Sequence, residues 1–228
     1  MNASNDRSTL THQIERSLDI SWKEGVPAAI MLGITDYYLI PFGLFLGATA
    51  AEIGLMIALP NLLASISQLL AVRAVGLSGS RLAFLCRATA LQAGVLIPVA
   101  ILSLMPIPGR IRFLIAFAIA FKIIGSLIAT AWGSLMSDYL PPEKRGRYFG
   151  WRSQVVGIAA VLGVAFAGLL LFLMNRLHAG VGFFLLFLCA SNLRFVSSYL
   201  MSKMVDLPST SVPGSDFTFL MFLRRFRQ

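Results

Sequence analysis

The sequence predicts an all-α membrane protein with six transmembrane helices, on three observations. It is 57% hydrophobic and only 13% charged, whereas a soluble domain carries roughly 45–50% apolar and about 25% charged residues. A soluble globule with that surplus could not cover its outside with polar groups. Six apolar runs reach the roughly 20 residues that a helix needs to cross a bilayer. Lysine and arginine collect on alternate connections between those runs.

The runs lie at about 24–47, 51–72, 82–105, 112–138, 153–175 and 181–203. In lipid a backbone must satisfy its own hydrogen bonds, so each reads as a helix. Residues 1–22 form a polar N-terminal segment. Asp6, Arg7, Glu15, Arg16 and Asp19 precede any long apolar run, unlike a secretory signal. Between runs 1 and 2, Thr49-Ala-Ala-Glu52 has capping-box spacing: the threonine satisfies an N–H of the second helix and the glutamate reaches back. Leu77-Ser-Gly-Ser80 separates runs 2 and 3, and Pro106-Ile-Pro-Gly109 separates runs 3 and 4. The stretch Ser137–Gln154, SDYLPPEKRGRYFGWRSQ, separates runs 4 and 5, and Asn175–Gly180 separates runs 5 and 6. Residues 204–228 read as a Pro/Ser/Gly linker followed by FTFLMFLRRFRQ. That last piece is too short to span, and is either an interfacial helix on the inner leaflet or a frayed end.

Fourteen Lys and Arg residues fall on one side: Arg7, Arg16, Lys23, Arg73, Arg81, Arg87, Lys144, Arg145, Arg147, Arg152, Lys203, Arg224, Arg225 and Arg227. Three fall on the other, Arg110, Arg112 and Arg176. The basic side is the cytoplasmic one, which puts both termini inside and the protein in the plasma (inner) membrane. The same distribution accounts for the net charge of +9 without nucleic acid. Cys86 and Cys189 sit in apolar runs without metal or redox spacing and read as packed thiols. His12 and His178 are the sole histidines, and no zinc-protease, nucleophile-elbow or phosphate-loop motif occurs, which argues against an enzyme. No cofactor or metal is expected.

An ionisable group at the bilayer centre costs on the order of 3 kcal/mol and marks function by default. Asp36 lies about 12 residues into helix 1, roughly 18 Å deep. Lys122 enters from the opposite side, about 10 residues into helix 4 and roughly 15 Å deep. Both reach the midplane, as a structural ion pair or as a binding or proton-coupling pair; desolvation favours a protonated carboxyl. Tyr37 adjoins Asp36. Polar stripes at helical spacing complete an expected substrate or proton pathway: Asn61, Ser65 and Gln68 on helix 2, Lys122 and Ser126 on helix 4, and Ser191, Arg194 and Ser198 on helix 6. Ala159, Gly163 and Ala167 on helix 5 form a small-residue face for close packing.

The segment FLGATAAEIGLMIALPNLLASISQLLAVRAVGLSGSR resembles helix 1, the outer loop, helix 2 and the following cytoplasmic loop of major facilitator superfamily carriers. Of their loop signature G-x-x-x-D-R/K-x-G-R-R/K it keeps Arg73, Gly79 and Arg81, with Val72 at the aspartate position. Asp138, Pro142, Glu143, Arg145, Gly146 and Gly150 resemble the family's loop between helices 4 and 5. Helix 5 has Gly157, Gly163 and Gly168 but lacks the proline of the drug antiporters. The resemblance implies a cytoplasmic gate built from Arg73, Arg81, Asp138, Arg145, Arg147 and Arg152, in which an aspartate at one helix end pairs with arginines at the next. It also implies a secondary active transporter of a small solute, with twelve helices in two halves and substrate held between them. This chain carries the N-terminal six-helix half. A truncated chain, a second chain or a paired copy would account for the other half, and the connector-like tail favours the first. The alternative is an inactive remnant or membrane scaffold.

Overall fold

The computed structural model describes residues 3–69, 79–174 and 178–207. These form six helices: α1 Ala3–Phe45, α2 Ala50–Gln68, α3 Arg81–Leu102, α4 Arg110–Tyr139, α5 Pro142–Met174 and α6 Ala179–Met201. Each contains a stretch long and apolar enough to cross a membrane. The Arg73 position and the tail from residue 208 onward, including the amphipathic segment, lie outside the described residues.

Two boundaries differ from the sequence expectation. α1 begins at Ala3, so most of the polar N-terminal segment continues into the first span. The Ser137–Gln154 stretch is largely helical: only Leu140 and Pro141 separate α4 from α5. Leu140 is extended, as a residue before proline prefers. Pro142 opens α5 at the position where a missing N–H costs nothing. The lysine and arginines of that stretch therefore belong to the first turns of a helix. The Thr49–Glu52 capping box forms as the spacing predicts, with Glu52 N donating to Thr49 Oγ1 at 3.3 Å and Thr49 N to Glu52 Oε2 at 2.8 Å. Gly109 starts α4 at φ 73°, a left-handed conformation that side chains resist.

α3 packs on α6 and α4, α1 on α5 and α6, and α2 on α4. Two apolar clusters form the interior. One gathers Phe42, Leu96, Leu114, Phe183 and Phe187. The other gathers Ile20, Leu85, Leu135, Met136 and Met201 toward the basic end. Between them along α1, α3 and α6 lie Glu24, Thr89, Gln92, Ser191, Arg194 and Ser197, each 0–6% exposed. A buried polar layer thus divides the core.

α5 buries only Ala159, Gly163 and Ala167. The small face works in both directions. A Cβ on Gly163 would stand 3.0 Å from Ile30 Cα, and one on Gly33 would stand 2.7 Å from the Ala160 carbonyl oxygen. Backbone cannot yield as a side-chain tip can. Gly163→Leu is therefore expected to destabilise the bundle by about 1–3 kcal/mol or more through overpacking, read as a lowered midpoint of unfolding in detergent, whereas Gly157→Leu, with open space around it, should leave the midpoint nearly unchanged.

Candidate functional site

Asp36 and Lys122 meet. Lys122 Nζ on α4 donates to Asp36 Oδ1 on α1 at 2.7 Å, and both side chains are more than a third exposed on one open face of the bundle. Beside them a cavity of about 230 Å³ runs inward. α1 contributes Thr35, Asp36, Leu39 and Ile40; α2 contributes Met56, Ile57, Pro60 and Asn61. Leu96 and Val99 of α3 and Phe117, Ala118, Phe121 and Lys122 of α4 complete the lining.

The other expected pathway residues divide. Tyr37 is 68% exposed and lies outside the cavity lining. Ser65 and Gln68 lie exposed on α2, where Ser65 Oγ donates to the Asn61 carbonyl at 2.9 Å. Ser126 is buried, 2.7 Å from Ser67 Oγ, and fastens α4 to α2. Arg194 turns to another helix. It is 6% exposed and faces α3, its Nε donating to Gln92 Oε1 at 2.8 Å. Its stripe mates Ser191 and Ser198 donate to the α3 carbonyls of Ala93 and Cys86. The α6 stripe is thus bonded to α3.

The residues expected to form a gate find the following partners. Asp138 pairs with Arg81 of α3 at 2.6 Å, not with the arginines of α5. Arg81 Nη1 also donates to Ser134 Oγ at 3.1 Å, and Nη2 to the Leu207 carbonyl at 2.9 Å. Arg145 turns back to the last turn of α4, donating to the carbonyls of Leu140 and Ser137 at 2.9 and 2.7 Å. Carbonyls left unbonded at a helix C-terminus attract a cation, and the two-residue connection puts Arg145 beside them. Arg147 is exposed. Arg152 points inward: its Nη2 donates to Glu24 Oε1 at 3.1 Å and its Nε to the Ser21 carbonyl at 3.2 Å, with the guanidinium 4.2 Å above the Trp132 ring.

Arg81 also closes a strap. After α6, Val205 N donates to Ser17 Oγ at 3.0 Å, Ser80 Oγ donates to Asp206 at 2.5 Å, and the Tyr139 hydroxyl donates to the Val205 carbonyl. Residues 205–207 are thus tied to the basic ends of α1, α3 and α4.

Sequence reasoning missed the polar layer. Glu24 is 2% exposed, and its Oε2 accepts from Ser197 Oγ at 3.0 Å. Gln92 passes the link on, its Nε2 donating to the Phe121 carbonyl at 3.0 Å. The signal was present: a glutamate at the mouth of an apolar run, and a glutamine in the middle of another, both need buried partners.

A family model described as Major Facilitator Superfamily matches residues 26–213. No curated protein and no solved structure matches the chain. With six apolar helices and a family match over most of its length, the chain belongs to the Major Facilitator Superfamily of membrane transporters.

Proposed function

We propose that the chain forms one half of a secondary active carrier that moves a small solute by alternating access, with the Asp36–Lys122 face lining half of the route. The observation that carries this reading is an ion pair at helical mid-depth on an open face, next to a cavity. A second six-helix unit would cover the open face, and rocking of the two units would admit water and solute from one side, then the other. Both termini lie in the cytoplasm of a cell bounded by this membrane. The Arg81–Asp138 pair holds the cytoplasmic ends of α3 and α4 together within this half.

Cysteine accessibility tests the route. Ile57→Cys, at the cavity and 46% exposed, is expected to react with an impermeant maleimide in both right-side-out and inverted vesicles. Reaction from neither side would remove the pathway. Asp36 is the proton carrier of the proposal. In proteoliposomes holding this chain together with a second six-helix unit and screened for small solutes, Asp36→Asn is expected to abolish uptake driven by a pH gradient; uptake with an unchanged dependence on the gradient rejects the proton role.

A further inference from the structure

Taking the proposed route as its basis, we infer that the solute is a small zwitterion with an apolar side chain, an ammonium and a carboxylate on neighbouring atoms. Asp36 and Lys122 have only each other as charged partners among the described residues. The contact uses one carboxylate oxygen, which leaves Asp36 Oδ2 and the remaining ammonium protons of Lys122 available, with the exposed Asn61 amide on the same cavity lining. The head of the site thus presents an acceptor of full negative charge and a donor of full positive charge 2.7 Å apart.

Such a pair is selective by compensation. A lone cation bound to Asp36 leaves Lys122 without a counter-charge, and a lone anion bound to Lys122 strands Asp36. A zwitterion inserts ammonium against Asp36 and carboxylate against Lys122, and all four charges stay neutralised. The body of the cavity selects on different grounds. Ten of its fourteen lining residues are apolar, with Leu96, Val99, Phe117 and Phe121 among them. Apolar walls take an aliphatic or aromatic group and gain by removing it from water. The volume of about 230 Å³ on this half has room for a single side chain such as those of leucine or phenylalanine.

The test uses Ile57→Cys in a Cys86→Ser, Cys189→Ser background in membrane vesicles, with alkylation by N-ethylmaleimide as the readout. L-Leucine and L-phenylalanine are expected to slow alkylation. Phenethylamine, 3-phenylpropionate and glycine should each need a concentration higher by roughly tenfold to a hundredfold, the equivalent of one lost charged hydrogen bond or one unburied side chain. Asp36→Asn should remove the protection by L-phenylalanine. Equal protection by the amine, the acid or glycine overturns the inference. If the cysteine is alkylated from both sides and neither amino acid slows it, the route stands and the zwitterion is rejected. If it is alkylated from neither side, the route fails, and this inference fails with it.

Discussion

Glu24→Ala is expected to cost the bundle about 3–5 kcal/mol, the range for removing one partner of a buried ion pair. Glu24 and Arg152 are 3% and 16% exposed and 3.1 Å apart. Without the carboxylate, two guanidiniums, those of Arg152 and Arg194, remain in the same stratum with no acid between them. Arg152→Ala should cost less. The orphaned Glu24 keeps its bond from Ser197, and Arg194 Nη1 lies 3.4 Å from that same Ser197 hydroxyl, so a cation stays nearby. The double variant Glu24→Leu/Arg152→Leu should be more stable than Glu24→Ala, because apolar replacement of a whole buried pair is often neutral. Unfolding of the purified protein in mixed micelles checks all three. A loss below about 1 kcal/mol for Glu24→Ala, the value of an exposed pair, would mean that water reaches the site.

Arg81→Ala ranks second. The guanidinium is 7% exposed and serves three groups at once: Asp138, Ser134 and the Leu207 carbonyl. Losing a buried charged hydrogen-bonding group costs about 1.5–3 kcal/mol per contact, with imperfect additivity among neighbours. Asp138 would then carry its negative charge in the last turn of α4, where the helix dipole already disfavours an anion. A loss of about 3 kcal/mol or more is expected. It should be accompanied by faster hydrogen exchange at the Val205 amide as the strap loosens, with little change around Phe183 near the opposite end of α6. Arg81→Lys keeps the charge but not the fork, so it should restore the Asp138 contact without holding Ser134 and Leu207 together. An unchanged exchange rate at Val205 in Arg81→Ala would show that Ser17 and Tyr139 hold the strap by themselves.

The six spans were legible because each is a long apolar run broken by proline, glycine or charge. The turn at Thr49 was legible because its cap is local, with donor and acceptor three residues apart. Depth arithmetic placed Asp36 and Lys122 at one level, and the two are in contact. Facing was harder to read. A helix that is apolar nearly all round does not declare which side meets protein and which meets lipid, so Ser126 and Arg194 read as pathway residues though both are turned into helix contacts. Glu24 stands at the first residue of its predicted run, where apolar periodicity gives no sign of its partners. Arg152 was read as a loop charge because a proline pair looks like a long break; α5 in fact starts at the second proline, and that places Arg152 three turns into a helix, level with Glu24. The resemblance implied that Asp138 pairs with arginines at the start of the next helix; its partner is Arg81, which arrives from α3.

The stratum of Glu24, Gln92, Arg194 and Ser197 has a mechanical consequence. A helix that slid past its neighbours by one turn, about 5.4 Å, would carry these groups out of step and set them against methyl and phenyl surfaces. Piston-like travel of any one of the helices that share the stratum is opposed by that mismatch. The stratum fixes the register of those helices.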